Sequence, residues 1–165
     1  EAEAQRLLAR APDGALELSH PLRRDITRVI RKTRPQRMVV QSPERNWARI
    51  HASHPDHLTA GEAALRALYP DSRNPFAHPE LLADEGLEPW TVQEVWVTSH
   101  PKPEHFVDIT DRFDRKIAAL RAHESQTAHM DDLEMFVKQW LVRNAKAAGL
   151  PEGRLAEAFV VHPTG

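Results

Sequence analysis

Apolar residues recur at helical spacing in some segments of this chain and in short runs in others. Leu22, Ile26, Val29 and Ile30 fall at i, i+4, i+7 and i+8, which predicts a helix from about Leu22 to Arg34 with one apolar stripe. Ser19 or His20 suits its cap, Pro21 its first turn, and Pro35 stops it. Arg37–Gln41 (RMVVQ) reads as a short buried strand. Residues 42–56 (SPERNWARIHASHPD) are polar and without period, so they form a loop leaving the strand's C-terminal end. In open α/β sheets that edge is where ligands bind. A second helix is expected from Pro55 to Leu68, with Leu58, Gly61, Leu65 and Leu68 on one side. From Tyr69 to Pro89 the chain is rich in Pro, Asp and Asn, an irregular excursion with one helical turn near Leu81.

Val95–Thr98 and Phe106–Ile109 read as strands flanking the turn at Pro101-Lys102-Pro103. Thr110 is expected to cap a helix bearing Phe113, Ile117 and Leu120. The clearest helix is Asp131–Ala148, with an apolar stripe of Leu133, Phe136, Val137, Trp140 and Leu141. Asp131 and Asp132 complement its dipole, and Gly149 and Pro151 end it. A last short helix is expected near Glu152–Phe159. Helices alternating with short apolar runs define an α/β class, although three strands are few for a self-sufficient sheet. Without repeats, low-complexity segments or Gly/Ser linkers, residues 1–165 read as one domain, its first turn signal being residues 11–14 (APDG). The leading EAEA is given no weight in the fold.

Composition narrows the function classes. Over 165 residues, 41% hydrophobic and 28% charged, the chain reads as a soluble globular protein. Twenty-two Lys+Arg against 24 Asp+Glu leave a net charge of -2, which argues against a nucleic-acid or anionic-membrane binder. No run of 18 apolar residues offers a membrane span. The absence of cysteine excludes disulfides, thiolate zinc sites, Fe–S clusters and Cys nucleophiles, and is compatible with a cytoplasmic location. There is no Walker loop, G-x-G-x-x-G or G-x-S-x-G. Without such an elbow, Ser99-His100 and His105 with Asp108 do not make a Ser/His/Asp set. The four tryptophans, Trp47, Trp90, Trp96 and Trp140, are scattered.

Ten histidines are the conspicuous chemistry. Among them, His54-Pro55-Asp56-His57 places two imidazoles and a carboxylate at a loop-to-helix junction. Proline at the first helical position sets Asp56 and His57 in the first turn, and His54 and His57, three apart, lean toward one locus. Such a set supplies a metal ligand, an acid/base and an orienting partner. The same tetrapeptide also makes a good helix start for capping reasons alone.

The run NWARIHASHPDHLTAGEAALRALYPDSRNPFAHPELL, Asn46 to Leu82, resembles the second conserved block of the LmbE/PIG-L family of zinc-dependent N-deacetylases. Leu87 to Val97, Phe106 to Gln126 and Gly149 to Phe159 resemble later blocks of actinobacterial-type members, and Pro12 to Leu18 a strand and turn before the family's central helix. The resemblance implies a Rossmann-like three-layer α/β fold and hydrolysis of N-acetyl groups on glucosamine-containing or related small molecules. It implies Zn2+, with His57 as ligand, His54 as the imidazole that stabilises the tetrahedral intermediate and protonates the leaving amine, and Asp56 in support. Asp13, Arg45 and Asn46 would contact a hydroxylated substrate.

The family's first block, His-Pro-Asp-Asp, which supplies further ligands and the general base, has no match before His54. Residues 1–10 are similar to the end of a helix that follows it, so the chain is expected to be the C-terminal two-thirds of the family domain. Ala128 to Glu134 (AHMDDLE) imitates that block but opens an amphipathic helix, where paired Asp are expected for the dipole. His123, with Ser125 and Gln126, matches a family block at a helix end, where a His is also favoured by the dipole. A non-catalytic small-molecule-binding member, or a subunit whose site a partner completes, are the competing readings. An incomplete sheet would be covered by the rest of itself or by a partner, as in a homo-oligomer.

Overall fold

The computed structural model describes residues 13–165, so the expectations for residues 1–12 lie outside the described part. Two compact units form, one running to Lys102 and taking in Val160–Gly165, the other spanning Pro103–Phe159.

In the first unit, α1 (His20–Thr33) leads through β1 (Arg37–Gln41) to α2 (Pro55–Leu68), short α3 (Pro79–Ala83) and β2 (Glu94–Thr98). The second holds β3 (His105–Asp108), α4 (Phe113–Arg121), short α5 (Glu124–Thr127) and α6 (Leu133–Ala147). Strand β4 (Ala156–Pro163) belongs to both, and the strand order is β1-β2-β4-β3. β1 and β2 are parallel, with Met38 opposite Val95 and Val40 opposite Val97. β3 and β4 are antiparallel, with His105 opposite Phe159. This is a mixed sheet with flanking helices, the α/β class that the hydrophobic pattern implies.

Helix α1 starts where expected: the Ser19 hydroxyl accepts from the Leu22 amide at 3.3 Å, and Arg34 closes the helix in the left-handed region at φ 47. Its buried side is rotated from the expected stripe. Thr27, Ile30 and Arg31 are the buried residues, because the segment around residues 71–78 packs against that flank. Helix α2 has the expected bounds. Its Gly61 lies so close to the exit of β1 that a Cβ there would meet the Gln41 carbonyl oxygen at 2.4 Å. Only glycine lets the helix seat against that backbone, and the seating fixes where the 42–54 loop starts and ends.

The core of this unit joins Ile30, Val40, Ala67, Leu68, Val92, Val95, Val97 and Val160. Met38, Val40, Val95 and Val97 thus face the helices, whereas Val39 on the other face is 60% exposed. β1 is therefore buried on one face, not on both.

In the second unit, Leu133, Val137, Leu141 and Ala145 bury a strict i, i+4 line of α6 against Phe113, Ile117 and Leu155, while Phe136 stays 53% exposed. The Thr110 hydroxyl does not cap α4. It donates to Asp108 and accepts the Leu155 amide, and a 3-10 turn at Thr110–Arg112 precedes the helix. The helix expected near Glu152–Phe159 is a strand instead. Gly153, at φ 84, turns the chain, and the run Phe159-Val160-Val161 fits the pleat of β4 better than a helix. That strand brings the count among the described residues to four.

Candidate active site

The site lies where the chain leaves β1. Past Gln41, the Ser42 amide donates to the Thr98 carbonyl at 3.0 Å and the Ser42 hydroxyl accepts the Glu44 amide at 3.1 Å. The loop contains a kinked 3-10 segment, Trp47–Ala52. Asn46 caps it, its side-chain oxygen accepting the Arg49 amide at 3.1 Å, while its own amide donates to the buried Ser53 hydroxyl at 2.8 Å. Residues 46 and 53 are thereby held together, and His54 follows at once.

His54 caps α2 through its ring: Nδ1 accepts the Asp56 amide at 3.3 Å. An Nδ1 that accepts carries no proton, so in the neutral ring the proton sits on Nε2. Nε2 lies 3.7 Å from Asp13 Oδ1, which comes from a position 41 residues earlier in the chain. Asp56 does not reach back to His54 with its carboxylate. Its two oxygens accept the amides of Gly14 at 2.7 Å and Leu16 at 3.1 Å, tying the 13–16 segment to the start of α2. Desolvation acts to raise the Asp56 carboxyl, but those two amides and the nearby His54 and His57 outweigh it and hold the group below its ordinary 3.8.

Asp13, His54 and Asp56 each offer a ligand atom within 4.8 Å of the others, the one such group of three or more among the described residues. One imidazole and two carboxylates fit a divalent cation by donor type and spacing. His57 is exposed and outside that group, its ring centroid 5.5 Å from that of His54. The Arg45 guanidinium sits 5.8 Å from the centre of the Trp47 ring. His129, Asp131 and Asp132 are exposed and form no ligand group.

His100, weighed in the sequence only as part of a Ser/His/Asp set, lies at the same edge as β1's exit. It lies two residues past β2, with Nε2 3.4 Å from Glu44 Oε2 and Nδ1 accepting the Lys102 amide at 3.1 Å, so it links the segments that leave the two parallel strands. The signal was its position: a His just past a buried strand lies at the ligand-binding edge.

A depressed carboxyl contributes its tie above its unfolded value and loses it as the pH falls through the lower, folded one. The Gly14 and Leu16 amide proton shifts are therefore expected to titrate with a midpoint below 3.8. Asp56→Asn should abolish that titration, and a midpoint at or above 3.8 would contradict the tie.

Fold and cluster together define an α/β protein with a candidate metal site at the carboxyl edge of its parallel strands. No family model matches the chain. Over 114 residues, 69% of its length, the chain is 36% identical to diacetylchitobiose deacetylase of Thermococcus kodakarensis, covering 40% of that protein. It is 30% identical over 116 residues to the probable N-acetyl-alpha-D-glucosaminyl L-malate deacetylase 2 of Bacillus cereus, covering 68% of this chain and 46% of that one. The solved structure of N,N'-diacetylchitobiose deacetylase from Pyrococcus horikoshii matches with a TM-score of 0.79 at 28% identity, over 98% of this chain and 61% of that one. The chain thus spans less than half the length of these curated relatives. It belongs to the LmbE/PIG-L-like deacetylase family. These relatives do not point to an actinobacterial type, and among the described residues no helix is long and apolar enough to cross a membrane.

Proposed function

We propose that the protein hydrolyses the amide of a small N-acetylated sugar or related metabolite, with zinc as its cofactor, in the cytoplasm. The observation that carries this reading is the gathering of Asp13, His54 and Asp56 at the strand edge, with the His57 ring centroid 5.5 Å from that of His54. The names of the two curated relatives, a diacetylchitobiose deacetylase and an N-acetyl-glucosaminyl malate deacetylase, support an N-acetylglucosamine-containing substrate.

Zinc held beside the cluster would polarise the amide carbonyl and acidify a water. His57 is its imidazole ligand in this proposal. His54 is the acid: its Nε2–H is the free donor, because Nδ1 is engaged by the Asp56 amide. In its cationic form the ring's Nε2–H stabilises the developing oxyanion and then passes its proton to the departing nitrogen, which leaves the ring neutral; in the resting neutral ring Nδ1 accepts the Asp56 amide. Asp56 acts as the anchor, keeping the 13–16 segment against the helix start and so keeping Asp13 in front of His54. Asp13 and the Arg45 guanidinium bind substrate hydroxyls, and Asn46 adds its side-chain N–H groups, its oxygen being engaged in the cap.

Metal content separates the two imidazoles. His57→Ala is expected to leave the purified protein without stoichiometric zinc and without deacetylation of N-acetylglucosaminides. If His57→Ala keeps its zinc while His54→Ala loses it, the ligand and acid roles are exchanged.

A further inference from the structure

A second pair of imidazoles meets away from the cluster and shares no residue with it. The His78 side chain is 1% exposed, just before α3, and the ring of His20 at the start of α1 lies against it, with centroids 4.4 Å apart and planes at 51°. The fold treats the two nitrogens of His78 differently. Nε2 stands 3.3 Å from Asp71 Oδ2, and Arg23 grips the same carboxylate, its Nε and Nη2 donating at 2.9 and 2.6 Å. A carboxylate so paired is ionised and can only accept, so the His78 proton sits on Nε2. Nδ1 is then a bare lone pair, buried and without a hydrogen-bond partner. Burial pushes this imidazole below its ordinary value and His20 acts in the same direction, against the carboxylates of Asp71 and Glu80. The lone pair is therefore free of a proton at neutral pH.

We propose that His20 and His78 form a binding site for a divalent transition cation, with Nδ1 of His78 and one ring nitrogen of His20 as its protein ligands. A metal-bound histidine characteristically donates its other N–H to a carboxylate, which fixes the tautomer and makes the ligating nitrogen more basic. Arg23, Asp71 and His78 supply that chain already assembled. A buried acceptor without a donor is also costly, and a cation on Nδ1 satisfies it. Two imidazoles sharing one ion at about 2 Å have centroids about 5 Å apart, so the His20 ring need shift by less than about 1 Å. His20 is exposed, so its ring is free to turn and the ion has a path in from solvent, with water filling the remaining positions. Asp71 is not a ligand, because Arg23 and His78 take both its oxygens. A bound ion would hold the start of α1 to the segment around residues 71–78.

The test is a Zn2+ titration of the whole protein, followed on the imidazole 15N resonances. Without metal, His78 is expected to show the Nε2–H tautomer. As Zn2+ is added, Nδ1 of His78 and one nitrogen of His20 should shift together, with one concentration dependence, whatever His54 and His57 do. His20→Ala, at an exposed position, should weaken Zn2+ binding at His78 by about tenfold or more and reduce the rise in melting temperature that Zn2+ produces. His78→Phe should abolish the response of His20. An Nδ1 resonance of His78 that stays unmoved at saturating Zn2+ would overturn the site, as would an equal response of His78 in His20→Ala. The deacetylase reading stands or falls separately, on zinc at His57 and turnover.

Discussion

Replacing His54 with alanine is expected to lower kcat on an N-acetylglucosaminide by about 10²–10⁴-fold, the usual worth of a positioned acid/base group. Zinc content should stay at the wild-type level and KM should change little. The reason is one hydrogen bond. Because the Asp56 amide occupies Nδ1, the side of the ring open to a substrate is Nε2 with its proton, a donor and not a lone pair. Asp13, 3.7 Å away, is placed to support that ring when it is charged. His54→Gln retains an N–H donor but gives up no proton, so it should keep part of the oxyanion contact and still lose the protonation of the amine. A kcat within a few-fold of wild type in His54→Ala would rule out the acid role, and concurrent loss of zinc would make His54 a ligand.

Replacing Arg31 with methionine is expected to destabilise the fold by about 3 kcal/mol or more. The Arg31 side chain is 1% exposed on α1. Its Nε donates to the Ser72 carbonyl at 3.3 Å, and its Nη2 to the carbonyls of Asp71 at 2.9 Å, Asn74 at 2.8 Å and Ala77 at 3.0 Å. Burial pulls the guanidinium below its ordinary value, against the opposing charges of Asp71, Glu80 and Glu88. One cation thus satisfies four carbonyls of a segment with little regular structure of its own. Methionine fills similar space and satisfies none. For a chain of this size the loss corresponds to a melting temperature lower by about 10 °C, read by circular dichroism. Lysine should not rescue it, because a single ammonium lacks the planar fork. A Met variant melting within about 2 °C of wild type would show that the 71–77 segment stands without the staple.

The bounds of α1, β1 and α2 were legible nearly to the residue, because capping, proline placement and hydrophobic periodicity are local effects. The sequence also placed His54, Asp56 and His57 at a helix start, since His-Pro-Asp-His can hardly begin a helix elsewhere. Which side of each helix is buried was decided by the tertiary structure. Arg31 lay on the polar flank of α1 by pattern and is buried because distant carbonyls need its donors. Phe136 lay on the apolar stripe of α6 and stays exposed because the facing residues meet only Leu133, Val137, Leu141 and Ala145. Strand β4 was misread as helix because AEAF is helix-compatible over four residues, and its partners lie far away in sequence, such as Phe106 opposite Ala158. The site follows the same rule. The place of His54 at the helix start was legible, but the carboxylate that faces it, Asp13, and the amides that hold Asp56, those of Gly14 and Leu16, lie about 40 residues away. Contacts of that separation leave no local periodicity, and only the folded chain brings them together.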